Sequence, residues 1–571
     1  MAEGDASHAD ATRETPEPST SEESADESSE ESPEESSEES PEPAPDESDE
    51  SPPRRRSRPG RLLRRSTTAL VLLVLALALA SYAFDLGPLT GLAGPSPISE
   101  PDKVPPPEGL TLPETAAAAQ VAPRTEPQVA SAEAVRRALA GLLRDKRLGP
   151  QVAVDVDQLG DGTPLFHQGA HLVTPASTMK LLTTTAALEA LGPDHRFTTS
   201  VVAGDTSRQI VLVGGGDPLL EAGPATEPGE TYPARADLQT LATSTARSLR
   251  DLGHTKVHLR YDASLFSGPA VNRHWPAHYI PDGVVSPISA LWVDEGRLSP
   301  DSMARAADPA AEAATVFADE LAKHGITVVG KPKPGTAPVQ ATRLGAVQSA
   351  PLAQIVEHII EVSDNEGAEV LARQVAVAEG ARASFAGGTR AVRSVLRSIG
   401  VDTSEDTFYD GSGLSRQDRL TPATLLAVLQ AAATPAHAEL RSVLTSLPVA
   451  GFTGSLTYRF QDASRAGLGV VRAKTGTLTG VSGLAGVVTT RDGAVLDFVA
   501  VANGFKPKYT GFVRDRLDQI GSALAHCTCA APEAATSPSA PASGASSSAA
   551  ASGTPAPASG VSQPAAASSA S

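Results

Sequence analysis

Residues 175–191 read Pro-Ala-Ser-Thr-Met-Lys-Leu-Leu-Thr-Thr-Thr-Ala-Ala-Leu-Glu-Ala-Leu. A proline ahead of an Ala/Leu/Thr run predicts a helix over Pro175–Leu191. Ser177 and Lys180 stand at i and i+3, which brings the hydroxyl and the amine onto one face within reach of each other. A serine hydroxyl is a poor nucleophile until a base takes its proton, and a neutral lysine can take it. Lys180 must then titrate several units below about 10.4, through burial and a neighbouring cation. Lysine is scarce, with ten in 571 residues, so each one in a motif is informative. Taken alone, though, one chance S-x-x-K is expected, and a plain helix start with a surface lysine explains it equally.

Outward from that helix the pattern is mixed. Ser131–Leu148 is helix-like, apolar at Ala134, Leu139 and Leu142-Leu143. Gln151–Val156 and Pro164–His167 alternate around Gly160-Asp161-Gly162, which reads as a hairpin. Val470–Thr475, Ser482–Thr490 and Ala494–Asn503 read as three late strands, followed by a closing helix over Tyr509–His526. Early and late strands around a helical middle predict one sheet assembled from both ends of the folded body, within an α/β (α+β) fold. The stretch 203–345, with Gly214–Gly216 and many prolines, changes character and reads as an inserted domain. The enclosing domain is then 124–202 plus 346–530.

Two further stretches carry chemistry. Ser363-Asp364-Asn365 lies between a helix over Leu352–Val362 and another over Glu366–Val375. Ser363 could relay a proton there and the Asn365 amide could hold a substrate carbonyl, although these residue types also cap helices. Lys474-Thr475-Gly476-Thr477 ends a strand. The Lys474 ammonium and the Thr475 hydroxyl suit a substrate carboxylate, and Gly476 lets a substrate approach the backbone. The N–H groups of Thr477 and Ser177 could form an oxyanion hole, and a strand edge can pair with an extended peptide.

The order S-x-x-K, S-D-N, K-T-G is the signature of penicillin-binding proteins and class A β-lactamases, and each element falls where the chemistry needs it: helix start, inter-helix loop, strand end. Over 124–530 the chain resembles the class C low-molecular-mass penicillin-binding proteins, the D-Ala-D-Ala carboxypeptidase/endopeptidase family. Gly214-Gly215-Gly216-Asp217-Pro218 resembles that family's G-G-G-D-P segment, and Ser286–Val293 its S-x-x-S-A-L-x-V stretch. Asp410-Gly411-Ser412-Gly413-Leu414-Ser415-Arg416 with Thr421-Pro422 resembles its D-G-S-G-L-S-R loop, although Asp418 stands where Asn is expected. The resemblance implies a β-lactamase-like transpeptidase domain, an antiparallel sheet flanked by helices and interrupted by an inserted domain. It implies Ser177 as acylated nucleophile, Lys180 as its base and Ser363 as proton relay. Asn365, Lys474, Thr475 and Thr477 would bind substrate, a peptidoglycan stem peptide ending in D-Ala-D-Ala, and β-lactams would acylate the same serine. No metal or cofactor is implied, and the twelve histidines form no H-E-x-x-H pattern.

Two rivals follow. A class A β-lactamase deacylates with a glutamate-bound water, and Glu366, Glu369, Glu379, Glu405 and Glu439 match no E-x-x-L-N pattern. A non-catalytic, membrane-anchored cell-wall scaffold would leave three intact motifs without work.

Composition bounds the rest. Residues 1–50 hold 20 acidic groups and one basic group, leaving 47 acidic against 46 basic downstream. Without the seven arginines between Arg54 and Arg65 the remainder is acidic, which excludes a nucleic-acid surface. Residues 1–65 read as a disordered acidic cytoplasmic tail with a basic flank. The uncharged run Ser66–Phe84 would span about 28 Å as a helix, enough for a bilayer core. Arginine on its N-terminal side predicts a single-pass anchor with the catalytic domain outside the cell membrane. A Pro-rich linker over 85–123 and a disordered Ala/Ser/Pro tail over 531–571 complete the expectation. Cys527 and Cys529 could pair locally or with another chain, and are too close together to staple the fold.

Overall fold

The computed structural model describes residues 128–224, 232–299 and 302–531. The chain divides into two units, Met1–Gln120 and Val121–Ser571, and the described residues all belong to the second. The expected acidic tail (1–65), membrane span (66–84), linker (85–123) and terminal tail beyond Ala531 lie outside the described residues. Among the described residues no helix is long and apolar enough to cross a membrane.

Ser131 opens α1 (Ala132–Leu139), its hydroxyl accepting from the Ala134 N–H. The helix expected to reach Leu148 stops at Leu139 instead. Gly141 sits at φ +88°, and Asp145 caps a separate 3₁₀ turn, Lys146–Leu148. Strands β1 (Gln151–Gln158) and β2 (Pro164–Gly169) form the expected hairpin. Helix α2 covers Met179–Leu191; the residues before it, Ala176–Thr178, form a 3₁₀ turn rather than the first turn of an α-helix.

A second sheet then begins, with β3 (Thr198–Ala203) and β4 (Gln209–Val213) antiparallel. Helix α3 (Leu238–Asp251) crosses over to β5 (Lys256–Asp262), parallel to β4, as a parallel pair requires. Helix α4 (Pro309–Lys323) makes the same kind of connection to β6 (Thr327–Val328), beside β7 (Lys333–Pro334). Strand β8 (Arg343–Gln348) returns against β3. The boundaries expected at 203 and 345 fall at the end of β3 and inside β8, so the sheet itself runs from Thr198 to Gln348. Its core lies between the strands and the two helices, around Leu212, Leu241, Leu259 and Phe317.

The chain then builds a helical layer: α5 (Leu352–Val362), α6 (Asn365–Ala378), α7 (Phe385–Ser398), α8 (Pro422–Ala433) and α9 (Arg441–Thr445). Strands β9 (Val471–Leu478), β10 (Val481–Thr489) and β11 (Val495–Asn503) follow, and α10 (Thr510–His526) closes the fold. The first sheet has the order β2-β1-β11-β10-β9, wholly antiparallel, with β1 lying along β11 from Gln151 opposite Asn503 to Gln158 opposite Leu496. It is therefore assembled from both ends of the body, as the sequence pattern predicts. Val499 and Val501 face the helical layer, and Phe498 and Ala500 face α1 and α10. Cover on both faces explains why β11 is apolar at nearly every position rather than alternating.

Helix α2 runs through the middle of this arrangement, buried at every residue from Met179 to Leu188. Two of its three buried threonines are bonded: Thr183 donates to Gly411 O at 2.7 Å and Thr184 back to Lys180 O at 2.7 Å, while Thr185 Oγ1 has no partner. A segment of the insertion also leaves its own sheet, and Trp275, Tyr279, Ile288 and Trp292 pack into the core around α2. Cys527 and Cys529 are paired with each other.

Candidate active site

The start of α2 is held by its neighbours. Ala176 lies at φ 48°, an uncommon conformation for a residue with a side chain, and Ser177 follows it, half-buried. The turn is pressed against Gly413, where an added Cβ would fall 1.9 Å from Ala176 O, and against Gly476, where one would fall 2.6 Å from Pro175 O. Gly413 also sits at φ +81°, which a side chain would strain. The glycine of the D-G-S-G-L loop and the glycine of K-T-G thus let two distant segments close on the serine.

Lys180 is fully buried, and its Nζ has three oxygen neighbours: Ser177 Oγ at 3.0 Å, Asn365 Oδ1 at 2.8 Å and Ser412 O at 2.9 Å. The Asn365 amide is oriented from its other end, since Nδ2 donates to Val284 O at 3.0 Å. Desolvation pulls Lys180 down to about 8, against the opposing pull of Asp364, Asp410, Glu369 and Glu366. A neutral lysine has two N–H bonds. With Asn365 Oδ1 and Ser412 O as acceptors for both, its lone pair is left facing the Ser177 hydroxyl. That is the geometry of a base.

The Ser412 carbonyl is fixed by a buried carboxylate network. Glu369 Oε1 accepts from Gly411 N at 3.0 Å and Ser412 N at 2.8 Å, while Asp410 accepts from Gly413 N, Ser415 N and Trp275 Nε1. Burial, with the Asp410 charge beside it, pushes Glu369 up to about 8. Sequence reading missed this second layer. Glu369 entered it only as a mismatch to a β-lactamase pattern, and a backbone carbonyl leaves no side-chain signal. The D-G-S-G run was the available clue.

Asp418, standing where Asn is expected, is buried near Asp410, and its Oδ1 accepts from Tyr409 N at 3.0 Å. Burial and the Asp410 charge push its carboxyl well above the usual range. As pH rises past the ordinary carboxylate range, the unfolded chain ionises Asp418 before the folded chain does, so its contribution to stability declines. Asp418→Asn should therefore raise the melting temperature at pH 8 by about 1 °C for each ~1 kcal/mol gained, given the unfolding entropy of a folded unit of this size. The gain should vanish near pH 4, and thermal melts at the two pH values check it.

The remaining motif residues surround this centre. Lys474 is fully buried in β9, with Nζ donating to Thr475 O at 3.1 Å; desolvation and the Lys180 charge hold it well below its ordinary value. Thr475 Oγ1 donates to Ser455 Oγ at 2.9 Å, and Thr477 is exposed on the same strand. β9 is the edge strand of its sheet; Val449 bridges its outer side at Arg472, and beyond that bridge the segment from Lys474 to Leu478 offers an edge that can pair with a peptide. Ser363 ends α5 in the left-handed region at φ 65°, and the helix cap in this turn is Asp364, which accepts from Gly367 N at 2.9 Å. Ser177, Lys180 and Asn365 are joined directly by hydrogen bonds. Ser363, Thr475 and Thr477 stand on the flanking segments, outside that trio.

Residues 135–307 and 300–524 match the D-Ala-D-Ala carboxypeptidase 3 (S13) family. A carboxypeptidase of Mycobacterium tuberculosis is 38% identical over 408 residues, covering 70% of this chain and 85% of that protein. A D-alanyl-D-alanine carboxypeptidase of an Actinomadura species is 30% identical over 440 residues, covering 65% of this chain and 81% of that protein. The fold is shared with penicillin-binding protein 4 of Haemophilus influenzae, at TM-score 0.56 and 24% identity, over 70% of this chain and 100% of that one. A second structure of that protein, complexed with a β-lactam, aligns at TM-score 0.50 and 22% identity over the same shares.

Proposed function

This chain belongs to the D-Ala-D-Ala carboxypeptidase 3 (S13) family and is a serine-type D-Ala-D-Ala carboxypeptidase, and we propose that it hydrolyses stem peptides through an acyl-enzyme on Ser177. The observation that carries this reading is the environment of Lys180 Nζ: buried, 3.0 Å from Ser177 Oγ, with two other acceptors for its N–H bonds.

Lys180 takes the Ser177 proton as Oγ attacks the carbonyl carbon of the penultimate D-Ala. The charge that develops on the carbonyl oxygen is met by the N–H groups of Ser177 and Thr477. The proton then passes through Ser363 to the leaving nitrogen, the C–N bond breaks, and D-Ala departs. Water, activated by the same lysine, attacks the ester and restores Ser177. The terminal carboxylate is bound by Lys474 and Thr475. A carboxylate beside Lys474 favours its ammonium form, so Lys474 becomes the cation that keeps Lys180 neutral. A β-lactam follows the same first step, but its opened ring keeps the leaving group tethered in the site.

Because only neutral Lys180 accepts the proton, acylation by benzylpenicillin should accelerate as pH rises through about 8 and level off above it. Stopped acylation assays from pH 6 to 10 would reveal that profile, and a rate independent of pH would sink the neutral-lysine base.

The same site, open along β9, suits cleavage of D-Ala cross-links as well as terminal removal. The uncharged run Ser66–Phe84 behind its arginines supports an anchored chain with the catalytic unit outside the cell membrane. Added protease that spares this unit in intact cells would count against that topology. The direct test of the function is D-Ala release from a peptide ending in D-Ala-D-Ala: release is expected, and none from folded protein would refute it. Turnover of nitrocefin at many per second would instead favour the β-lactamase reading.

A further inference from the structure

Beside the Ser363-Asp364-Asn365 turn lies a cavity of about 570 Å³ whose wall is charged. Three of its carboxylates are each paired with an arginine: Glu221 with Arg235 at 2.9 Å, Glu295 with Arg297 at 2.9 Å and Glu366 with Arg305 at 3.3 Å. Asp294 and Asp364, on the same wall, form no ion pair of their own, so the wall carries five carboxylates against three arginines. Asp364 is only 8% exposed, and while its Oδ1 caps α6, its Oδ2 is buried without a hydrogen-bond partner. An orphaned carboxylate oxygen in a polar cavity is an acceptor waiting for a cation or a donor.

Two other groups reach the same point. A ring nitrogen of His358, a carboxylate oxygen of Glu295 and a carboxylate oxygen of Asp364 lie within 4.8 Å of one another. The three come from separate segments: His358 from α5, Asp364 from the N-terminus of α6, and Glu295 from a loop of the insertion. Asp294, Glu295 and Gly296 run consecutively at φ 51°, 56° and 73°, which turns the loop sharply at this point.

We propose that Glu295, His358 and Asp364 bind one divalent cation of the zinc class, separate from the acylation chemistry. Imidazole with two carboxylates suits zinc better than calcium or magnesium, which take oxygen ligands alone. Tetrahedral bonds of about 2.0–2.2 Å hold ligand atoms about 3.4 Å apart, so closure of about 1 Å by side-chain rotation completes the site. A fourth ligand would be water, since all three residues line the cavity. The expectation of no metal came from the family resemblance and from the absence of an H-E-x-x-H pattern, and a cluster drawn from three segments of this chain registers in neither. A bound cation would tie the insertion loop to both helices that flank Ser363, making these three positioning residues for that turn.

The test is zinc titration of the chelator-stripped full chain by calorimetry, with metal content measured after gel filtration. One retained equivalent is expected, weakened at least tenfold in Glu295→Gln and in His358→Gln, each still melting cooperatively. Glu295→Gln, in a loop, carries the test if His358→Gln does not fold. A second group, Glu189, His437 and Glu439, is the internal control. No retained zinc, unchanged affinity in Glu295→Gln, or loss on His437→Gln instead would each overturn the proposal.

Discussion

Replacing Ser177 by Ala should lower D-Ala release by about 10³-fold or more, with the fold intact. Ser177 supplies the atom that forms the new bond, and no rearrangement of Lys180, Asn365 or Lys474 supplies another. The neighbouring hydroxyls are committed elsewhere: Thr178 donates to Pro175 O at 2.8 Å and Thr475 to Ser455 Oγ at 2.9 Å. The serine is half-buried and contributes one hydrogen bond to the lysine, so the Ser177→Ala protein should melt within a few degrees of wild type. Steady-state release assays and thermal melts on the same preparation separate lost chemistry from lost fold. Unchanged release would make the non-catalytic scaffold the better account of this chain.

Lys180→Met should slow acylation by about 10²–10⁴-fold, the usual worth of a positioned base. Methionine preserves much of the buried volume but leaves Ser412 O and Asn365 Oδ1 without the amine that bonds them. Lys180→Arg makes the sharper comparison. Arginine keeps a cation and can keep both hydrogen bonds, yet it stays protonated and cannot take a proton from serine. If the lysine acted only by its charge, Arg would retain most of the rate; as a base, Arg is as slow as Met. Rate profiles should also lose the ionisation near 8 in both variants.

The first sheet was legible because its signals are local. Gly160-Asp161-Gly162 and Arg491-Asp492-Gly493 mark two turns, and the apolar runs beside them have nowhere to go but one sheet. The second sheet was not. Its outer strands Thr327–Val328 and Lys333–Pro334 have two residues each, too short for any periodicity, and they are held by parallel pairing to β5. The end of α1 was missed for a different reason: Leu142 and Leu143 continue the helical spacing, but Gly141 has already turned the chain.

At the site, spacing alone brought Ser177 and Lys180 together, since one helix turn joins them. Burial was named as a cause of the lowered lysine, but the segments that supply it were not readable, because they lie up to hundreds of residues away. Desolvation lowers Lys180 against four carboxylates, and Lys474, expected as its neighbouring cation, is itself held low by desolvation and then by the Lys180 charge. Asn365 was read as a substrate clamp; in this state its amide spans Lys180 and Val284. That contact depends on Val284 in the insertion, which no motif announces. Asp418 looked like a departure from the family pattern, and burial beside Asp410 raises its carboxyl well above the usual range.

The central claim is that Ser177 is the acylated nucleophile of a penicillin-binding peptidase. Intact-mass spectrometry of the full chain after benzylpenicillin, with Ser177→Ala in parallel, tests it most directly. The account predicts one long-lived adduct of the drug's mass on wild type, mapping to the peptide that contains Ser177, and none on the variant. An adduct that persists on Ser177→Ala, or folded wild-type protein that takes up none, would contradict it.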